Sequence, residues 1–150
     1  MPGCVLRVLG DRFEPEAFLA ESSLVPYISF RKGQPPASGD RIMGGDAQTN
    51  GFCCEVSVDG TRFEQQTRDA ASFLKRHRGD LERLKRVNTV EAVYLDFGHE
   101  CRLDNSSVCV QSDFLPTELL FLAGALGIGI CLSLYPRPEH EQTGTSEQIP

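Results

Sequence analysis

The spacing of apolar positions changes period several times along the chain, and each change marks an element. Cys4 to Leu9 is a short apolar run closed by Gly10-Asp11, which predicts a first strand and a turn. Pro15 opens a short helix carrying Phe18 and Leu19, and Leu24 to Phe30 predicts a strand that Pro26 places at an edge or a strand start. From Phe52 to Val58 the period is two, with Phe52, Cys54, Val56 and Val58 on one face and Cys53, Glu55 and Ser57 on the other. Asp59-Gly60 ends that strand. Between about Thr67 and Val87 the period becomes helical: Ala70, Phe73, Leu74, His77, Leu81 and Leu84 form one stripe, Arg68, Lys75, Arg76, Arg83 and Arg86 lie opposite, and Gly79 is the expected point of division. Glu91 to Phe97 alternates again with Val93, Leu95 and Phe97 inward, and Val108 to Val110 is short enough for one more strand. Pro116 to Leu126 is apolar on every side, which predicts a helix buried on most of its surface, and Ile128 to Tyr135 reads as the last strand.

The order β-α-β, loop, β-α-β, α-β predicts an α+β fold: a mixed β-sheet with helices packed on one face, built from two βαβ-like halves. Alternating strands fit a sheet with one covered face better than a doubly wound parallel sheet, whose strands are apolar on both sides. Arg31 to Gly51, rich in Gly, Pro, Ser and Asp, is a long loop, functional or merely mobile. Residues 1–136 make one domain, and the polar stretch 137–150 lacks the apolar content to pack and reads as a disordered tail.

Charge changes this picture at two points. The 150-residue chain carries a formal charge of -6, which disfavours nucleic acid as a partner. Within it, Arg62 to Arg86 holds eight basic and four acidic residues, so the rest of the chain stands at -10. Glu64, Asp69, Asp80 and Glu82 can pair with that basic face at helical spacing, and stacking aromatics are missing from it, so a solvated helix face is expected there. Met1 to Arg7 has no basic segment followed by a long apolar run, and Leu119 to Leu134 is broken by glycines and too short to span a bilayer. A cytoplasmic protein with no membrane contact is the expectation. Cys4, Cys53, Cys54, Cys109 and Cys131 lie in apolar or alternating runs, as reduced core thiols do.

Candidate chemistry is sparse. Asp96, His99 and Cys101 fall within six positions, but Gly98-His99-Glu100 reads as a turn and no second ligand cluster follows, so no metal and no cofactor are expected. His77 has no partner that the sequence names, and there is neither a nucleophile elbow nor a phosphate loop, so no catalytic residue is assigned.

The opening strand Cys4-Val5-Leu6-Arg7-Val8, the Arg31-Lys32-Gly33-Gln34-Pro35 segment, the helix with Phe73-Leu74 and Leu81, and the ending Leu119-Leu120 through Ile130-Cys131-Leu132-Ser133-Leu134-Tyr135-Pro136 resemble the bacterial domain-of-unknown-function family numbered forty-two seventy-nine. The resemblance covers most of Cys4 to Pro136. Where members often carry a tryptophan in the strand after the loop, this chain has Gly51-Phe52-Cys53-Cys54. The family has no established activity, and the resemblance implies an uncharacterised small α/β protein of the kind considered as immunity proteins to bacterial toxins.

These observations lead to an uncharacterised non-enzymatic binding protein, immunity-type or accessory, that binds a macromolecular partner. The rival is a small-molecule enzyme with a motif-free active site. The expected contacts are Arg31 and Lys32 at the loop rim and two acidic clusters represented by Glu14 and Glu16 and by Asp96 and Glu100. A basic protein such as a toxin is the expected partner, and oligomeric state is left open.

Overall fold

The computed structural model describes residues 3–35, 47–60, 62–104 and 107–137. In chain order the elements are β1 (Cys4–Gly10), α1 (Pro15–Leu19), β2 (Ile28–Phe30), β3 (Asn50–Ser57), α2 (Phe63–Arg76), α3 (Arg78–Lys85), β4 (Ala92–Glu100), α4 (Thr117–Ala125) and β5 (Gly129–Tyr135). The five strands form one mixed sheet in the order β2-β3-β1-β4-β5. Only β4 and β5 are parallel neighbours, joined by α4; the β1/β3, β1/β4 and β2/β3 pairs are antiparallel. The β1-α1-β2 unit is therefore a βαβ crossover split by β3, and β3-α2-α3-β4 is one split by β1. The fold is α+β, and all four helices pack on one face.

Strand alternation creates that face. Leu6 pairs with Cys54 and Leu95, and Val8 with Phe52 and Val93, so one side of β1, β3 and β4 is apolar. Phe73, Leu74, Leu81, Leu84 and Leu119 pack onto it from the helices, with Leu122 and Val93 partly buried at its margin. Phe13, Phe18 and Phe52 close one end as a cluster with ring centroids 6.1 to 6.3 Å apart. The opposite face carries a smaller cluster of Val5, Ile28, Phe30, Ala47 and Cys53.

Several expectations need correction. The long helix is two, and the break is at His77 (φ -102°, ψ 17°), where the chain leaves helical geometry, rather than at Gly79. A register shift between Cys4 and Val5 puts Ser57 opposite Cys4, on the helix side, where its hydroxyl donates to Asp69 Oδ2 at 2.6 Å; Val58 beyond it is exposed. The β4 strand runs through Gly98-His99-Glu100 without a turn, and residues 108–110 form no strand. Cys4, Cys53 and Cys54 are buried thiols, whereas Cys109 and Cys131 are exposed. Of the loop at 31–51, Gly33 N–H donates to Ala47 C=O at 2.8 Å and Ala47 N–H to Gln34 C=O at 3.1 Å, which ties its two stems together; its middle, and the tail beyond Arg137, lie outside the described residues. Among the described residues no helix is long and apolar enough to cross a membrane.

The largest departure is α4. It is apolar from Leu119 to Ala125, yet only Leu119 and Ala123 are buried, while Leu120 and Phe121 stand in solvent.

Candidate functional site

The residues expected to contact a partner fall at separate places, and most are already engaged. Glu16 pairs with Arg31, and Asp11 with Lys32 at 3.2 Å, so the loop rim and the first helix neutralise each other. Glu14 is exposed at the start of α1. Asp96 is not a surface acid: it lies on the helix-free face of β4, accepting from Arg7 Nε at 2.9 Å and from Ser133 Oγ at 2.6 Å. Both members of the Arg7–Asp96 pair are 13% exposed. Burial works against the Arg7 charge, but Cys53 and Asp96 beside it hold its pKa above the ordinary value. Glu100 is half-buried at the end of β4.

The basic helix face is likewise paired. Arg68 meets Glu64, Lys75 meets Glu118, and Arg78 meets Glu82 at 3.0 Å. Arg83 lies over the Phe18 ring, 4.8 Å from its centroid, and donates to Glu21 C=O at 2.7 Å.

The enzyme reading depends on whether nucleophile, base and acid converge. His77 does acquire a partner: Ser23 Oγ lies 3.1 Å from its Nδ1 and 2.6 Å from Asp80 Oδ2. A groove of about 260 Å³, lined by Ser23, Glu55, Asp69, Arg76 and His77 among others, opens beside them. Proton accounting argues against an activated serine. The hydroxyl has one proton, the shorter contact directs it to the carboxylate, and His77 Nδ1–H must then donate to Ser23 Oγ. In a catalytic triad the acid orients the imidazole and the imidazole accepts from the serine; here the acid takes the serine's proton. Asp80 also accepts Ser23 N–H at 2.9 Å, so this constellation fastens the segment after α1 to α3.

His99 is 2% exposed, lies tilted at 51° against the Phe63 ring with centroids 4.9 Å apart, and meets Asp113 at 3.1 Å through Nε2. Asp113 accepts from Arg102 Nη2 at 2.7 Å and from Gln111 Nε2 at 2.8 Å. Against the effect of burial, those hydrogen bonds and the Arg102 charge keep its carboxyl below the usual carboxylate range. The network anchors the irregular 101–116 segment to the end of β4. Among the described residues no three His, Cys, Asp or Glu side chains cluster as metal ligands would.

What the sequence reading missed is the surface formed by α4 and β5. β5 is an edge strand of seven residues, Gly-Ile-Cys-Leu-Ser-Leu-Tyr, with no Lys, Arg, Asp, Glu or Pro. Ile130 neighbours Leu95 and packs toward the helices, so by alternation Leu132 and Leu134 point to the same side, where they are 48% and 59% exposed. On α4, Glu118 faces α2, since it pairs with Lys75. Leu120 is about 160° further round the helix, on the flank away from α2 and toward the sheet edge. Because a βαβ crossover runs its helix antiparallel to the strand that follows, the start of α4 lies near the end of β5, which brings Leu120 beside Leu132 and Leu134. Phe121 is 74% and Phe114 77% exposed; Phe114 also lines a groove of about 390 Å³ with Phe63, Thr67 and Pro116. The only early signal was negative: an uncharged strand after an uncharged helix flank. It was read as core because strand order, and hence which strand is the edge, was not visible.

No family model matches the chain, and neither a curated protein nor a solved structure does.

Proposed function

We propose that this chain is a non-enzymatic protein-binding module, in the manner of an immunity-type or accessory protein, and that its contact surface is the α4–β5 edge. The observation that carries the reading is an apolar helix flank left half uncovered beside a strand edge that is uncharged and, among the described residues, unpaired. Monomeric proteins rarely expose contiguous apolar patches beyond a few hundred Å². Along this edge Leu120, Leu132 and Leu134 are 46%, 48% and 59% exposed. Natural sheets protect exposed edges with charge, proline or brevity. The far edge, β2, is only three residues long, and β5 has none of these devices. A segment with that composition is stable in water when another protein lies against it.

The test is site-specific photo-crosslinking in cells, with a benzophenone amino acid at Leu120 and, as control, at exposed Ala17 on α1. Discrete protein adducts from position 120 and none from position 17 are expected. No adduct from 120 at a level above the control removes the reading.

A further inference from the structure

We infer that the protein seated on the α4–β5 edge is a second copy of this chain, in a two-fold dimer that continues the sheet through antiparallel β5–β5′ pairing. The inference rests on the reading of that edge as a protein contact and names its occupant.

The first argument is geometric. A two-fold axis perpendicular to the sheet pairs one β5 with another, each strand serving as donor and acceptor for its mate, as an isologous interface requires. That axis keeps the helices of both copies on the same face. It therefore sets α4 against α4′ directly above the new strand pair, and the Leu120 flank of each helix closes over Leu132 and Leu134 of both strands. A foreign strand added to β5 would satisfy the backbone edge but leave Leu120 in water. A foreign helix would cover the leucines but leave the β5 N–H and C=O groups unpaired. A second copy covers strand edge and helix flank together, because it carries the same two elements at the same spacing.

The second argument is electrostatic. Two copies of a chain with a formal charge of -6 repel each other over most of their surfaces. The α4–β5 strip is where that repulsion is least. β5 has no charged side chain, and the single acid of α4, Glu118, is turned away to Lys75. On the far side of the sheet, Asp96 is compensated by Arg7. Like charges are thus kept away from the two-fold axis without any salt bridge across it.

The experiment is sedimentation equilibrium on the full chain over a range of concentrations, for the wild type and two double variants. Leu132→Lys with Leu134→Lys puts charge on the strand; Leu120→Asp with Gly124→Asp, one helical turn apart, puts charge on the helix flank and leaves the strand intact. The expected wild-type mass is twice that of the 16.6 kDa chain, and each double variant should weaken association at least about 30-fold, the scale of an interface hot spot. A wild type that is monomeric at about 100 μM, weak even for a transient contact, overturns the inference. So does a dimer unaffected by both folded double variants, since its interface then lies elsewhere. Should either variant lose its circular dichroism, the concentration dependence of the wild-type mass and the other variant decide. A monomer that still gives adducts from position 120 would refute the second-copy occupant while leaving the protein-contact reading intact.

Discussion

Single side chains hold the segment after α1 in place, and their protonation makes a measurable signature. Asp80 accepts both Ser23 N–H and Ser23 Oγ–H, and these bonds, with the Arg83 charge 3.4 Å away, keep its carboxyl below the ordinary value of 3.8. A carboxylate whose folded pKa is depressed adds stability that is complete above the unfolded pKa and is lost as pH falls through the folded one. His77, beside it, is also shifted down from 6.5, by burial first and by Arg76 second, against the pull of Asp80. For an imidazole, that direction means the unfolded chain takes the proton more readily, so stability falls as pH drops below 6.5. Acidification should therefore weaken the fold in two stages, one below about 6.5 and one below about 3.8. Asp80→Ala is expected to cost about 1.5–3 kcal/mol at pH 7, because it removes an ionised acceptor from two donors, and to shrink the lower stage, to which Asp113 also contributes, while sparing the upper. His77→Gln should erase the upper stage only. Urea unfolding midpoints at pH 7.5, 5 and 3 for the three proteins check this; a lower stage undiminished in Asp80→Ala would show that its depressed pKa does not act on folding. A companion test of the core is Phe97→Ala. Phe97 is fully buried between Phe63 and the sheet, and its truncation is expected to cost about 3–5 kcal/mol in the same measurement.

Among the elements, glycine separates what the helices tolerate from what they require. Gly79 in the first turn of α3 and Gly124 in the last turn of α4 have open space where a Cβ would go. Replacing either with Ala should stabilise by about 0.4–1 kcal/mol, mainly through the unfolded chain. Gly127 is different: at φ +66° it makes the left-handed turn between α4 and β5. Gly127→Ala should destabilise by about 1 kcal/mol or more. Thermal unfolding of the three variants checks both signs, and a stabilised Gly127→Ala would contradict the turn that joins α4 to the edge strand. The same elements show how far the sequence could be read. Period-two runs in β1, β3 and β4 and the Ala70–Phe73–Leu74–Leu81–Leu84 stripe placed the main core, because alternation and helical spacing report which side chains avoid water. They did not place the helix break, because His77 leaves helical geometry to meet Ser23, a contact 54 positions away. They misjudged α4, because periodicity states that a face is apolar and not which molecule covers it. Asp96 was legible as an acid in an alternating strand but not as the partner of Arg7, a contact 89 positions away that only strand order creates.

For the molecule as a whole, the six cysteines sample the sheet from centre to edge and turn its topology into a rate measurement. Cys4 on β1 and Cys53 and Cys54 on β3 are buried at the middle of the sheet, while Cys131 on β5 and Cys109 in the 101–116 segment are exposed and Cys101 is intermediate. Burial raises the pKa of all three central thiols: Cys4 well above its ordinary value, Cys54 to about 12, and Cys53 less, since Arg7 and Tyr27 oppose the effect. Because the thiolate is the reactive form, the central three are protected both by access and by protonation. Ellman's reagent at pH 7.5 is expected to label Cys109 and Cys131 rapidly, Cys101 more slowly, and the other three only as fast as the molecule unfolds. The slow phase should then accelerate with urea in parallel with global unfolding, whereas the fast phase should not change. Cys131 carries the most information. Its side chain projects from the helix-free face of β5, while Leu132 and Leu134 project from the other, so its reactivity fixes the facing of the strand independently of the leucines. Rapid labelling of Cys131 requires the facing described above. A one-residue slip would turn its thiol toward α4, where Ile130 is partly buried, and send Leu132 and Leu134 to the helix-free side, and labelling at Cys131 would then slow to the intermediate rate of Cys101. Mass mapping of the modified sites after a short exposure distinguishes the two outcomes. Cys131 at that intermediate rate would remove the leucine face on which the α4–β5 contact depends.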